Sequence, residues 1–403
     1  MEYKASKRSM SAILALTFVF VYTFSGSTSA LAASSYSATT DSTMTGGIFI
    51  IGPRNGNASS NAVWGNPDVS GVFLRIPWNR MHISAGTDTD DFDFSFIDHE
   101  LDQAVKNRKS VSLAIGAGQL WTPDWIYSTG GVTGYQFQQN PNMHGLDSDQ
   151  EIITLANPTD ETYQYWYFSA IRALGNHIAS NPEWMNAVAY VKPSGANHLT
   201  YENRLPNECY AGYICNTQVW AEAGYTPSGI VDFYEKQLDV IQEVFPQKPM
   251  IYALIQTGFP RTNDDGDYLQ YDGTPSGGKL ITGIKQTEAI LEMGTQKYGN
   301  LFIVSHNGLQ AHHDVNPWVQ SASEQGMPTS FQTSNATKVQ TTRDLQFALE
   351  NMWDSTNAHY LEIYDNILYR TMIRKGELVR NTDAERNTLA EWNVALQSRA
   401  LQK

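Results

Sequence analysis

Eight short apolar segments recur along the chain, and most are followed by a stretch with helical periodicity. They are residues 47–51, 72–76, 111–115, 188–191, 250–255, 301–304, 329–332 and 360–364. Continuous apolar runs of this length, without strict alternation, are typical of parallel strands that are buried on both faces. The pattern predicts an α/β fold, a (β/α)8 TIM barrel, whose functional groups lie at the C-terminal ends of its strands.

The polar and periodic positions between these segments predict helices and long loops. Phe96, Ile97, Leu101 and Val105 keep a helical period, and Ser95 with Asp98 resembles a capping box at the start of that helix. Further helices are predicted over 161–179 and, at the end of the barrel, over 384–401. Long polar and aromatic insertions follow the third, fourth and fifth segments, over 118–158, 193–229 and 257–279. Loops of this length on the C-terminal face of a barrel typically shape a cleft.

The N-terminal residues read as a targeting segment. Three basic residues precede an apolar stretch over 10–24, and Ala-Leu-Ala at 30–32 supplies a cleavage pattern, so residues 1–32 are predicted to be a signal peptide. A retained N-terminal anchor is the alternative. A Ser/Thr-rich flexible leader over 33–46 and a single catalytic barrel domain over 47–403 would follow. The mature protein is therefore expected to be secreted, with no membrane contact.

Charge narrows the choice of partners. The chain has 27 basic and 41 acidic residues, and loss of residues 1–32 would leave 24 and 40. An acidic surface repels nucleic acid and anionic lipid, so neither is an expected partner. The oligomeric state is not determined by the sequence.

The only two cysteines are Cys209 and Cys215, in the loop-like stretch after the fourth segment. In an exported protein, a disulfide that closes this small loop is the natural interpretation. A two-cysteine metal site would need further ligands, for which Glu208 alone is weak support.

Two glutamates are the strongest candidates for chemistry. Glu362 lies inside the last apolar segment, and a buried carboxylate needs either a partner, for which Arg75 is one candidate, or a catalytic role. Glu202 follows the fourth segment at some distance, so it is either a second catalytic group or a loop-surface residue. A protonated carboxyl and a carboxylate on opposite sides of a cleft are the minimal equipment for glycoside hydrolysis.

Other polar and aromatic residues follow the strand ends. The polar set is Arg75, Asn79, Asn197, Gln256, His306, Asn307 and Gln332, and the aromatic set is Trp78, Trp121 and Trp125. Amides and a histidine suit sugar hydroxyls because they donate and accept hydrogen bonds in fixed directions. The indole faces would serve as platforms for sugar rings, although most aromatics in any protein pack in its core.

Metal and cofactor motifs are weak. His312, His313 and Asp314 suggest a metal site, but adjacent histidines point in different directions and a third ligand is missing. Asp264, Asp265 and Asp267 resemble a calcium loop without its distal glutamate. No phosphate-binding loop, dinucleotide fingerprint or serine-nucleophile elbow occurs. We therefore expect no cofactor and no catalytic metal.

Residues 47–130 carry a family resemblance. The strand at 71–78 (GVFLRIPW), the helix entry at 92–98 (FDFSFID) and the turn at 122–126 (TPDWI) resemble the N-terminal half of retaining β-glycosidase barrels of the β-galactosidase and cellulase clan. That resemblance implies a (β/α)8 glycoside hydrolase with two catalytic glutamates. The clan has an Asn-Glu pair directly at the end of the fourth strand and its nucleophile on the seventh. Here Glu202 lies beyond Asn197, and Glu362 is on the eighth.

The sequence thus predicts a secreted glycoside hydrolase that acts on a poly- or oligosaccharide, in a retaining and endo-acting manner. Glu202 is the predicted acid/base and Glu362 the predicted nucleophile. Two alternatives remain open: a carbohydrate-binding barrel without catalysis, and a polysaccharide lyase in which His306 or a tyrosine is the base and Arg75 binds a uronate.

Overall fold

The computed structural model describes residues 46–58, 63–139, 152–255, 257–311, 314–334, 342–364, 373–374, 377–378 and 383–402. The predicted signal peptide and nearly all of the predicted leader lie outside these ranges, so both stay predictions. Gln256, His312 and His313 also lie outside them. In the described part of the chain, no helix is long and apolar enough to cross a membrane.

Eight parallel strands close into a barrel, which confirms the predicted fold. They are β1 (Gly47–Ile51), β2 (Gly71–Pro77), β3 (Ser110–Gly116), β4 (Val188–Val191), β5 (Met250–Leu254), β6 (Phe302–Leu309), β7 (Thr329–Thr333) and β8 (Ala358–Tyr364). Each strand pairs with its neighbours in chain order, and β8 pairs with β1. All eight predicted apolar segments are therefore strands of one barrel.

Nine helices of six residues or more lie within the described ranges, and those that begin at Ser95, Glu161 and Asp383 are the ones that the sequence predicted. They are α1 (Ser95–Lys106), α2 (Glu161–Ala179), α3 (Pro182–Ala187), α4 (Asn216–Glu222), α5 (Pro227–Val244), α6 (Gly283–Tyr298), α7 (Pro317–Glu324), α8 (Thr342–Ser355) and α9 (Asp383–Leu401). In α9, Asn393 Oδ1 accepts a hydrogen bond from the Ile48 backbone N–H at 2.8 Å, so the last helix packs back onto β1.

The predicted cap of α1 is wrong. Ser95 is the first helical residue rather than the capping residue, and its backbone N–H donates to Asp93 Oδ1 at 2.9 Å. Asp93 therefore accepts from the Ser95 N–H, the donor that the predicted capping box gave to the Asp98 side chain. Elsewhere the usual capping side chains are in place: Asp160 accepts from Tyr163 N–H at the start of α2, and Thr226 accepts from Gly229 N–H at the start of α5.

The interior of the barrel changes from apolar to polar toward the C-terminal ends of its strands. Phe49, Tyr190, Ile251, Ile303 and Tyr360 form a buried cluster in the lumen, with the rings of Phe49 and Tyr190 5.0 Å apart. Side chains on the other face of each strand pack under the helices in a separate, larger apolar core. Further along the strands, the polar side chains of Lys192, Asn307 and Glu362 join the interior beside a second buried cluster that contains Ile51 and Phe73.

Two of the long insertions contain defined structure. The insertion after β3 has an antiparallel hairpin of Gly134–Gln138 with Ile152–Ala156. In the insertion after β4, Cys209 and Cys215 are joined by a disulfide, as the sequence predicted. The loops after β4 and β5 contact one another, since the Leu205 backbone N–H donates to Gly258 O at 2.8 Å.

Candidate active site

Glu362 lies in a buried ion pair within the barrel. Its side chain is 1% exposed, and its Oε2 is 2.5 Å from Nζ of Lys192, which is itself 3% exposed. The hydroxyl of Tyr190 donates to Glu362 Oε1 at 2.9 Å. Both carboxylate oxygens therefore have a protein donor. The buried partner that the sequence left open as Arg75 is Lys192, the residue that directly follows β4.

The ion pair depends on further contacts for its stability. Burying two charges costs several kcal/mol per ion, and only close contact and additional hydrogen bonds offset that cost. The Lys192 ammonium also lies 4.5 Å from the centre of the Phe73 ring. Burial, followed by the nearby Glu362 charge, raises the pKa of Tyr190 well above its usual value. Tyr190 therefore stays protonated and donates its hydroxyl hydrogen to Glu362.

Glu202 is the more accessible carboxylate at the mouth. Its side chain is partly exposed, and Asn307 Nδ2 donates to its Oε1 at 3.1 Å. The same Asn307 amide lies 3.3 Å from Gln332 Oε1, and Gln332 Nε2 donates to the Tyr364 hydroxyl at 3.3 Å. These four side chains form a polar network across the mouth from the loop after β4 to β8.

Tyr364 connects the two carboxylates electrostatically. Burial raises the pKa of the Tyr364 hydroxyl, and the charges of Glu202 and Glu362 both add to that rise, whereas Arg75 and Arg54 oppose it. Glu362 is also the register neighbour of Gln332 on β7. Asn307 therefore joins Glu202 to Gln332, the strand neighbour of Glu362.

Asn197 positions the segment that carries Glu202. It is 2% exposed; its Oδ1 accepts from the backbone N–H groups of Ala117 (3.2 Å) and Gly195 (2.8 Å), and its Nδ2 donates to Glu202 O at 2.8 Å. Gly195 has φ +100°, and a side chain there would also clash with the Tyr167 ring. Asn197 thus acts through the backbone of Glu202, and the structure gives it no direct position against a substrate.

We expect Asn197→Ala to destabilise the protein because two buried backbone N–H groups would lose their acceptor. The expected loss is about 1–3 kcal/mol in the free energy of unfolding, measured by urea denaturation. Asn79→Ala is the control: Asn79 is exposed and its amide donates to Leu120 O, so the change should stay within about 0.5 kcal/mol. Equal unfolding free energies for the two variants would contradict this role for Asn197.

An aromatic wall lines the β2 and β3 side of the mouth. Trp121 and Tyr201, 6% and 5% exposed, pack with ring centroids 4.5 Å apart. The Arg75 guanidinium is 5.8 Å from the Tyr201 ring, and its Nε donates to Gly52 O at 2.7 Å. Gly116, at the end of β3, leaves room for Tyr201, since a Cβ there would lie 2.5 Å from its ring.

Several predicted site residues lie elsewhere. Trp78 is fully buried against Tyr163 and Tyr167, and Trp125 packs on His82 and Trp166 among the outer helices. His306 faces the helix side of β6, where its Nδ1 accepts from Asn316 N–H at 3.4 Å and its ring lies 6.0 Å from Phe331. The structure therefore brings together Glu202, Glu362, Arg75, Trp121, Asn307 and Gln332, supported by Asn197.

Two aspartates of the loop after β5 accept hydrogen bonds from other groups of the protein. Asp264 Oδ1 accepts from Ser228 N–H at the start of α5, and Asp267 Oδ2 accepts from Asn263 Nδ2 and Gly278 N–H. These hydrogen bonds, led by that from Asn263, lower the pKa of Asp267. Across the described ranges, no group of three histidine, cysteine, aspartate or glutamate side chains is arranged to hold a metal ion.

Sequence reasoning did not identify Lys192, Tyr190 and Tyr364 as parts of the site. Lys192 was the detectable one, because a lysine at the end of an apolar barrel strand needs a buried anion. Tyr190 and Tyr364 are inside apolar strands, where an aromatic residue is usual, so their sequence positions carry no comparable signal.

No family model matches the sequence, and no curated protein matches it. Among solved structures, the chain is similar to the catalytic domain of β-amylase from Paenibacillus polymyxa: the TM-score is 0.54 at 12% identity, over 87% of this chain and 98% of that one. It also aligns with the exo-β-1,4-mannosidase Op5Man5 from Opitutaceae bacterium strain TAV5, with a TM-score of 0.40 and 14% identity over 82% of this chain and 53% of that one. At these identities the similarity to the β-amylase domain establishes the barrel fold, and functional roles rest on this chain's own residues.

Proposed function

We propose that the protein is a glycoside hydrolase that cleaves a poly- or oligosaccharide at the barrel mouth, with Glu202 and Glu362 as its two carboxylates. The observation that carries the proposal is their placement: Glu202 is partly exposed, Glu362 is buried and paired with Lys192, and Asn307 joins Glu202 to Gln332, the strand neighbour of Glu362. Two carboxyl groups in different environments can divide the roles of acid and base or nucleophile. The barrel's C-terminal face is where such groups act in this fold.

The different surroundings of the two groups suggest their roles. Lys192 and Tyr190 donate to the two oxygens of Glu362 and fix its position inside the barrel, so we assign Glu362 as the nucleophile. Glu202 is the more exposed group, and we assign it to protonate the leaving oxygen and then activate water, a retaining sequence. Asn307 and Gln332 offer amides to sugar hydroxyls. The long loops beside the mouth support endo action, and the disulfide and the predicted signal peptide support secretion.

A second candidate is a carbohydrate-binding barrel without catalysis. The observation in its favour is that both oxygens of Glu362 accept hydrogen bonds from protein groups. A lyase has less support, because His306 faces the helices and burial raises the pKa of both Tyr201 and Tyr364. A tyrosine with a raised pKa is a poor base at neutral pH.

The test is incubation of the purified protein with a panel of neutral and uronate-containing polysaccharides, with reducing ends and product masses measured. Hydrolysis gives fragments whose masses sum to the substrate plus one water molecule. Fragments without the added water, with a new ultraviolet absorbance, would identify a lyase instead. Binding to one polysaccharide with no release of reducing ends would support the binding barrel and reject the hydrolase.

A further inference from the structure

We propose that Tyr210, Tyr213 and Tyr271 form a second carbohydrate-binding surface beside the barrel mouth, which holds a neutral polysaccharide chain outside the catalytic site. This tyrosine surface rests on the proposed function, since it takes the same substrate class. The mouth residues described above bind the sugars at the cleaved bond, whereas the tyrosine surface would bind sugars further along the chain.

All three tyrosine side chains are exposed to solvent. Tyr210, Tyr213 and Tyr271 are 42%, 43% and 68% exposed. Aromatic side chains gain most from burial, so three that are open to solvent on two neighbouring loops indicate a surface that a ligand covers. A tyrosine suits a sugar because its ring packs against the C–H face of a pyranose while its hydroxyl bonds to water or to sugar oxygens.

Two contacts join the loops that carry these rings. Thr217 Oγ1 donates to Leu269 O at 2.5 Å, and Cys215 Sγ lies 3.4 Å from the same oxygen. Tyr210 and Tyr213 lie inside the disulfide loop of Cys209–Cys215, and Tyr271 comes two residues after Leu269. A disulfide-closed loop is already restricted, so less conformational entropy is lost when a ligand binds to it.

The loops that carry the tyrosine surface are connected to the mouth. The disulfide loop belongs to the same insertion after β4 that carries Glu202. Asn207 Nδ2 lies 3.4 Å from Phe259 O and also donates to Thr257 O, which ties that insertion to the loop after β5. A polysaccharide bound at the mouth would therefore extend over these two loops under this proposal.

Charge favours an uncharged ligand. Residues 261–281 contain four aspartates and two basic residues, and Arg204 pairs with Glu208 at 3.5 Å at the base of the disulfide loop. The excess of negative charge repels uronate- or sulfate-bearing chains. The expected ligand is a neutral polysaccharide.

The test uses the triple variant Tyr210→Ala/Tyr213→Ala/Tyr271→Ala in a Glu202→Gln background, so that binding is measured without hydrolysis. Retardation in gels that contain the neutral polysaccharides of the panel gives the affinity. We expect the triple variant to bind about tenfold more weakly or worse than its parent. Tyr165→Ala is the matched control, because Tyr165 is 56% exposed on the outer helix α2 and should leave binding unchanged.

Each outcome bears on a different claim. Unchanged binding by the triple variant, or no retardation of the parent in any gel, overturns the tyrosine surface. Retardation that the triple variant loses supports it, even if the wild-type protein releases no sugar and the hydrolase proposal fails. With active enzyme, the same three substitutions should raise KM for the polysaccharide and leave kcat/KM on a trisaccharide unchanged.

Discussion

Replacing Lys192 with methionine is expected to destabilise the protein by about 3–5 kcal/mol, because it leaves the Glu362 carboxylate buried without its cation. Methionine has a similar length, so the loss comes from charge rather than from an empty space. The double variant Lys192→Met/Glu362→Gln should recover most of that free energy, since the amide oxygen of Gln still accepts from Tyr190 and no unpaired charge remains. The measurement is the free energy of unfolding in urea.

Lys297→Met is the matched control for this experiment. Lys297 pairs with Glu235 at 2.9 Å and Asp239 at 2.7 Å, but its side chain is 36% exposed. Solvent screens such a pair, so its loss should cost about 0–1 kcal/mol. If Lys192→Met cost no more than Lys297→Met, or if the double variant were less stable than the single one, Lys192 and Glu362 would not be energetically coupled as a buried ion pair.

Glu202→Gln is expected to lower kcat/KM by about 10²–10⁴-fold, the usual contribution of a positioned acid or base. Gln keeps the hydrogen bond from Asn307 Nδ2 through its amide oxygen, so the network across the mouth is retained while the transferable proton is lost. Stability should change by no more than about 0.5 kcal/mol, because the side chain is partly exposed. Initial rates on the substrate found by the polysaccharide panel give the result.

The control for Glu202→Gln is Glu243→Gln, on the outer helix α5. Glu243 is 53% exposed and pairs with Arg172 at 3.0 Å, far in sequence from any residue of the mouth. Its substitution should leave kcat/KM unchanged. If the rates of Glu202→Gln matched those of the Glu243→Gln control, Glu202 would have no catalytic role.

The barrel was predictable from the sequence because strands buried on both faces leave a continuous apolar record. The segment at 188–191 matches β4 at both ends, and the helix predicted over 161–179 matches α2. The start of α1 was not predictable in the same detail. Asp93, Ser95 and Asp98 can all accept hydrogen bonds from the first backbone N–H groups of the helix, and the backbone conformation decides which of them does. Likewise, nothing local distinguishes Trp78, which is buried, from Trp121, which reaches the mouth.

The site was predictable only in part, because its contacts join distant parts of the chain. Glu362 was detectable as a charge within an apolar strand, but its partner Lys192 lies across the barrel. The Asn307–Glu202 hydrogen bond depends on how the loop after β4 folds back over β6, and Asn197 fixes that loop through backbone groups. The position of a residue at a strand end indicates that it can approach the mouth. The direction of its side chain then decides whether it does: on β6, Asn307 reaches Glu202, whereas His306 contacts Asn316 on the helix side.

The most direct test of the two-carboxylate account is the rate of sugar release by the double variant Lys192→Met/Glu362→Gln, at a temperature where its unfolding curve shows it to be folded. Because this variant keeps the fold without the buried charges, it separates a chemical role of Glu362 from a structural one. The account predicts release at less than about a hundredth of the wild-type rate. A folded double variant that releases sugar at the wild-type rate would contradict it and leave Glu362 with a structural role only.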